Sequence, residues 1–292
     1  MMKNNSEKTK GALLELLATF LWGSCFVVTK SATDIIPPCL LQACRMFIAV
    51  ATIAIVFRKK LKLITKELFL KSCIIGVFYC GGLVLQTLGI KYTSAGRSAF
   101  VTSAYCIFVP FIELMLFKKK PEMKDIIAGM VCMLGIGFIV LNDGIKVDSG
   151  DLMTLGGSIC FAIEIVIFGR MVRQYDETMV SMLMMLNAGI TALILSLFTE
   201  TMPAHITVGA AAAVVYLAIP CTVVTVLCQA NAQKILSSAA VTIILGFEAV
   251  FAAIISAIVY GESFTGKILI GCILVFLSSF VAVFDFKKSK AA

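Results

Sequence analysis

ILGFEAVFAAIISAIVYGE, residues 244–262, runs nearly the length of a membrane-crossing helix and carries no charge except Glu248 and its last residue. About 20 apolar residues, rising ~1.5 Å each, cross the roughly 30 Å hydrocarbon core of a bilayer. A carboxylate inside such a run costs about 2.5–3.5 kcal/mol on insertion scales, so Glu248 calls for a reason.

The rest of the chain is made of the same material. Its 292 residues are 60% hydrophobic and 14% charged, whereas soluble domains carry about 25% charged residues. Mean hydropathy is +1.01. Apolar runs at about 11–31, 37–57, 68–88, 94–117, 124–141, 151–173, 178–198, 208–231, 236–260 and 264–284 predict an all-α integral membrane protein with ten transmembrane helices. The loops between them are too short for a soluble domain, so function has to reside within the membrane.

A net charge of +8 would suit a nucleic-acid partner only if it formed a patch. The basic residues instead sit in short loops, where they orient a membrane chain. If both termini share one side, nineteen Lys and Arg residues fall on that side and five on the other, with Arg45 inside span 2. Both ends are therefore expected in the cytoplasm, with the chain in the plasma membrane and no nucleic acid as partner. Lys3, Lys8 and Lys10 precede an apolar run as in a signal peptide, but the run lacks a cleavage site and is too long, so it reads as a retained span.

Several chemistries are excluded by inspection. Ten of the eleven cysteines lie singly in apolar runs and no C-x-x-C occurs, so free thiols packed as small apolar groups are expected rather than a metal site. His205 is the only histidine and falls in a predicted outer loop. That rules out H-E-x-x-H zinc chemistry and leaves a Ser–His dyad without its base at depth. No P-loop is present, so direct nucleotide-driven pumping is unsupported. No cofactor and no enzymatic activity are expected.

The chain also repeats itself. At an offset of 143, Gln86 falls on Gln229, Lys91 on Lys234, Ser94 on Ser237 and Phe108 on Phe251. One residue is lost in the next loop, after which Ile126 meets Ile268, Gly129 meets Gly271 and Phe138 meets Phe280 at an offset of 142. Two five-helix repeats follow, residues 11–142 and 150–286. Because five is odd, the second repeat is inverted relative to the first, the architecture of many secondary transporters with midplane sites.

Depth then selects residues. Glu248 is roughly 18 Å into span 9, Arg45 roughly 12 Å into span 2 from the opposite side, and Glu164 lies near the middle of span 6. These three are the leading candidates for a polar cavity or proton site, with a structural Glu248–Arg45 pair as the other reading. Trp22, Tyr79, Gln86, Tyr105, Gln229 and Asn231 are candidates to line the same cavity. Glu15 and Glu113 read as interfacial carboxylates that reach water from the cytoplasmic ends of their spans. Pro110 and Pro220 are expected to kink spans 4 and 8, and the glycines of spans 3 and 5 to bring helices close.

These segments resemble a known family. FLWGSCFVVTK (20–30), LLQACRMFIAV (40–50), LQTLGIKYTSAGRSAFVTSAYCIFVPF (85–111) and the opening stretch occur in the order seen in the drug/metabolite transporter superfamily, within it the EamA family of ten-helix transporters. Ala249 stands where that family usually has proline after the span 9 glutamate. The resemblance implies a central cavity between inverted halves and export of metabolites such as amino acids.

The expectation is therefore a secondary transporter that exports small organic metabolites by alternating access, with protons as a further partner through Glu248. The alternative is a multi-pass membrane sensor or assembly protein that transports nothing. Partners are a small-molecule substrate and the lipid bilayer, and the glycine-rich faces leave room for a homo-oligomer.

Overall fold

The computed structural model describes residues 2–93, 95–140, 148–203, 205–260 and 266–283, and their regular structure is entirely helical. The first half contains α1 (Met2–Ala32), α2 (Pro38–Val56), α3 (Lys66–Tyr92), α4 (Ala95–Thr102), α5 (Tyr105–Phe117) and α6 (Met123–Val140). The second contains α7 (Ser149–Met171), α8 (Glu177–Thr199), α9 (Val208–Ala218), α10 (Thr225–Ile235), α11 (Ser238–Leu245), α12 (Phe247–Tyr260) and α13 (Gly266–Val283). Eight helical segments are long and apolar enough to cross a membrane. With α6 and the α11–α12 pair, the described residues form ten rods, in which α4–α5, α9–α10 and α11–α12 each make one. The protein is an all-α, multi-pass membrane protein. The Gly261–Glu262 end of the opening stretch, Lys146 and the basic residues after 283 lie outside the described residues.

Local sequence sets the helix ends. Pro38 opens α2 in the first turn, where its missing N–H costs nothing. Thr65, Thr207 and Ser237 each cap the helix that follows by accepting a backbone N–H from Leu68, Ala210 and Ala240. Asp176 accepts from Thr178 and Met179 at 3.1 Å to open α8.

Packing obeys the repeat. α3 lies along α7, and α10 correspondingly lies along α1; α5 contacts α7 as α12 contacts α1. α2 against α8 and α6 against α13 are pairs that the same exchange maps onto themselves. This exchange of halves is the two-fold relation of an inverted repeat. The α3–α7 crossing is so close that a Cβ on Gly150 would sit 2.6 Å from the carbonyl oxygen of Gly89. Only glycine permits that approach.

Polar ties join the halves at both faces. On the face where α1 begins, Lys60 pairs with Asp176 at 2.9 Å. On the other, Glu200 accepts from the Cys39 and Leu40 amides at the start of α2, at 2.7 and 2.9 Å, and Arg97 pairs with Asp151.

Two rods are interrupted at matching places. The fourth breaks at Ser103–Ala104 and the ninth at Gly246. A carbonyl at each break accepts a hydroxyl from another helix: Thr102 O from Ser158 at 2.8 Å and Ile243 O from Ser279 at 3.3 Å. Irregular backbone at membrane depth persists where protein groups satisfy it in this way.

Candidate substrate cavity

A cavity with about 600 Å³ free of protein atoms, its open end included, lies between the halves. Its walls come from α1, α2, α3, α4 and α5 of the first half and α7, α10, α11 and α12 of the second. The lining reaches Thr29 and Ile90, near the C-terminal ends of α1 and α3, so its upper part lies toward the face opposite the start of α1.

The walls repeat along with the helices. Gln86 and Gln229, Thr102 and Leu245, and Tyr105 and Glu248 all line the cavity and are each 143 positions apart. Trp22 and Phe161, Cys25 and Glu164, and Phe26 and Ile165 are each 139 apart. The cavity therefore straddles the axis relating the halves. The two helix breaks place Tyr105 and Glu248 immediately beyond them, at equivalent points of opposite walls.

Chemistry departs from symmetry at these equivalent points. Arg45 is 2% exposed and donates from Nη2 to the carbonyl oxygen of Cys221 at 2.7 Å and from Nε to the Thr222 hydroxyl. Trp22 Nε1 donates to the same carbonyl at 3.1 Å. That carbonyl is available because Ile219–Val224, with Pro220 near its start, winds as one π-helical segment between α9 and α10. A widened turn of this kind turns backbone acceptors away from the usual ladder. The structural Glu248–Arg45 pair is not formed, and no ion pair joins these groups among the described residues.

The remaining candidates fall around this anchor. Tyr79 packs edge-on against Phe161, with ring centroids 6.3 Å apart. Gln86 donates to Thr102 Oγ1 at 3.0 Å across the α3–α4 boundary. Glu164 and Tyr105 are buried, and Glu164 Oε1 and the Tyr105 hydroxyl have no hydrogen-bond partner. Asn231 is the predicted residue that does not line the cavity; its amide donates to Leu227 O one turn back on its own helix, at 2.7 Å. Glu113 pairs with Lys119 at 2.7 Å.

Glu15 requires a correction. It does not reach water: the residue is 0% exposed, and neither carboxylate oxygen has a hydrogen-bond partner. One turn earlier, a Cβ on Gly11 would meet Leu236 at 3.1 Å, which shows how closely the loop before α11 covers this side of α1.

Other wall residues escaped the sequence reading although their spacing carried them. Cys25, Phe26 and Thr29 follow Trp22 at helical steps of three, four and seven, and Leu83 and Ile90 lie with the predicted Gln86 on the face that Tyr79 begins. Extending a helical stripe from each aromatic would have found them. The eleven cysteines are free, and no cluster that could hold a metal occurs among the described residues.

Residues 9–141 and 148–284 both match the EamA-like transporter family. The chain belongs to that family. An uncharacterized transporter of Archaeoglobus fulgidus is 27% identical over 262 residues, 90% of this chain and 82% of the relative. An S-adenosylmethionine/S-adenosylhomocysteine transporter of Chlamydia muridarum is 24% identical over 202 residues, 64% of this chain and 63% of the relative. A crystal structure with 16% sequence identity superposes with a TM-score of 0.76, covering 94% of this chain and 96% of that one, a likeness of fold. This EamA-like chain is thus a membrane transporter with its cavity between two copies of the family unit.

Proposed function

We propose that this transporter exports small organic metabolites, amino acids or related zwitterions, from the cytoplasm by alternating access. Residues 11–142 and 150–286 are the two units that rock about the cavity, both termini are cytoplasmic, and the protein sits in the cell membrane. The observation that carries this reading is a cavity on the axis between the halves with a cation and acidic groups in its walls: Arg45 beside the π segment, and Glu164 and Glu248 from α7 and α12. Arg45 uses Nε and Nη2 on the protein, and a guanidinium has five N–H donors, so donors remain for a substrate carboxylate. Glu164 Oε1, without a partner, offers an acceptor to an ammonium group. Trp22, Tyr79 and Phe161 supply apolar and aromatic surface between them.

The Chlamydia relative supports this class, because both compounds in its name are built on an amino acid. Glu248 couples the cycle to protons by exchanging one as the cavity changes sides. The test is transport by purified protein in liposomes, using a labelled amino-acid panel with and without an imposed pH gradient, alongside Glu248→Gln. Accumulation of a panel member that requires the gradient and is lost in folded Glu248→Gln is the expected result. Flux unaffected by both the gradient and the substitution would remove Glu248 from the mechanism. No flux of any member would remove amino acids as the substrate class.

A further inference from the structure

We propose that Glu15 is a second proton site, set behind Glu248 on the side where α1 begins, so that the route out of the cavity on that side holds two acidic stations rather than one. The proposal rests on the transport reading above for its purpose, but its evidence is the burial of Glu15 itself. Glu15 lies seven positions before Trp22, about two helical turns or ~10 Å further from the cavity's upper end. It is 0% exposed and both its oxygens lack hydrogen-bond partners.

An ionised carboxylate at such a place needs a cation or several donors. The titratable groups in electrostatic range are Glu248 from α12, Glu164 from α7, Tyr105 from α5 and Cys228 from α10. Three buried carboxylates therefore lie in one region, and none of the three has a salt-bridge partner among the described residues. Arg45, a cation in the same cavity, donates to Cys221 and Thr222 and forms an ion pair with none of the three. Carboxylates buried this deeply without a cation cannot all stay ionised, so the cluster holds protons.

A proton fits better than a metal ion. The helix is intact around Glu15, with Thr19 Oγ1 donating to the Glu15 carbonyl at 2.7 Å. No unwound backbone is shown beside Glu15 to complete an oxygen shell, as sodium sites in transporters require. Tyr105 is the natural intermediary. Its hydroxyl has no partner, it lines the cavity, and it is in electrostatic range of both Glu248 and Glu15. When the halves rock, the Glu15 carboxylic acid releases its proton on the α1-start side, and the proton of the Glu248 carboxylic acid replaces it, so charge is conserved over the two steps.

The test needs no substrate. Infrared titration of the purified protein in lipid, in light and heavy water, counts buried carboxylic acids through their C=O absorbance. Glu15→Gln is expected to remove one such absorbance and to move the titration midpoint of the band that Glu248→Gln removes, because the two sites are coupled. Glu15→Asp, which keeps the carboxyl group, is expected to restore a displaced band and serves if the glutamine variant does not fold. An unchanged carboxylic acid region in Glu15→Gln, or a Glu248 band indifferent to it, overturns the proposal. In the liposome assay, accumulation that follows a sodium gradient and ignores pH also overturns it. Failure of every panel amino acid would leave the infrared result standing, whereas a flat infrared result beside pH-driven transport would remove Glu15 alone.

Discussion

Arg45 and Glu15 are both charged residues sealed inside membrane-spanning helices, 2% and 0% exposed respectively, and the protein treats them in opposite ways. Around Arg45 the neighbouring chain is shaped to receive charge. A π segment holds the Cys221 carbonyl and the Thr222 hydroxyl against the guanidinium, and Trp22 shares the carbonyl. Around Glu15 nothing is arranged: an unbroken helix and two oxygens without partners. The difference separates two uses of intramembrane charge. A group with fixed partners holds helices in place and keeps its ionisation state through the cycle. A group without them costs stability and is free to change state.

The largest loss of stability is expected at Arg45. Arg45→Met is expected to cost about 3 kcal/mol, since it removes both guanidinium hydrogen bonds, leaves the Cys221 carbonyl to Trp22 alone and unlinks α2 from the π segment. Unfolding in mixed micelles by graded denaturing detergent measures this, and a loss below about 1 kcal/mol would mean that the guanidinium anchors nothing. Thr222→Val follows at about 2 kcal/mol, because it removes one charge-assisted partner while preserving shape. A double-mutant cycle with Arg45→Met should then show strong non-additivity, the mark of one shared interaction.

The same contrast explains what was legible in the sequence. Spans, inversion and the wall positions of Arg45, Glu164 and Glu248 could be read because apolar run length, repeat offset and isolated charge are one-dimensional signals. The breaks at Ser103–Ala104 and Gly246 could not, since small residues inside an apolar run look the same whether the helix continues or turns. The burial of Glu15 has no such signal, because a carboxylate near the first apolar residue of a span looks the same whether that end is open or covered. The helix starts earlier, at Met2, and one turn before Glu15 it is covered at Gly11 by Ile235 and Leu236, more than 200 positions away. Asn231 failed for a related reason: a polar side chain in a span can satisfy itself on its own helix, as its bond to Leu227 shows. The pairing of Arg45 with Glu248 was open in the sequence, and the competing acceptor was a backbone carbonyl that a sequence does not display.

A charge with fixed partners also occurs outside the cavity. Glu200 accepts from the first two free amides of α2 and ties the halves at one face. Glu200→Ala is expected to cost about 1 kcal/mol, the usual worth of an N-terminal cap. Calorimetry in detergent would show the loss, and Glu200→Gln should recover part of it, because an amide oxygen still accepts.

The smallest effect on stability is expected where the consequence for transport is greatest. Glu15→Leu replaces a partnerless carboxyl with an apolar side chain of similar volume, on a stretch of α1 whose Ala12 and Leu16 pack against the apolar core. Exchanging buried ionisable groups for well-packed apolar ones is often neutral or stabilising. The variant should therefore unfold within about 1 kcal/mol of the parent or above it, while pH-driven accumulation in liposomes falls at least as far as in Glu248→Gln. A structural carboxylate would behave the other way round, losing stability first and transport only through misfolding. Stability and coupling measured on the same preparation place Glu15 on one side of that divide: a group kept because the cycle uses it, in a position where packing alone would prefer leucine.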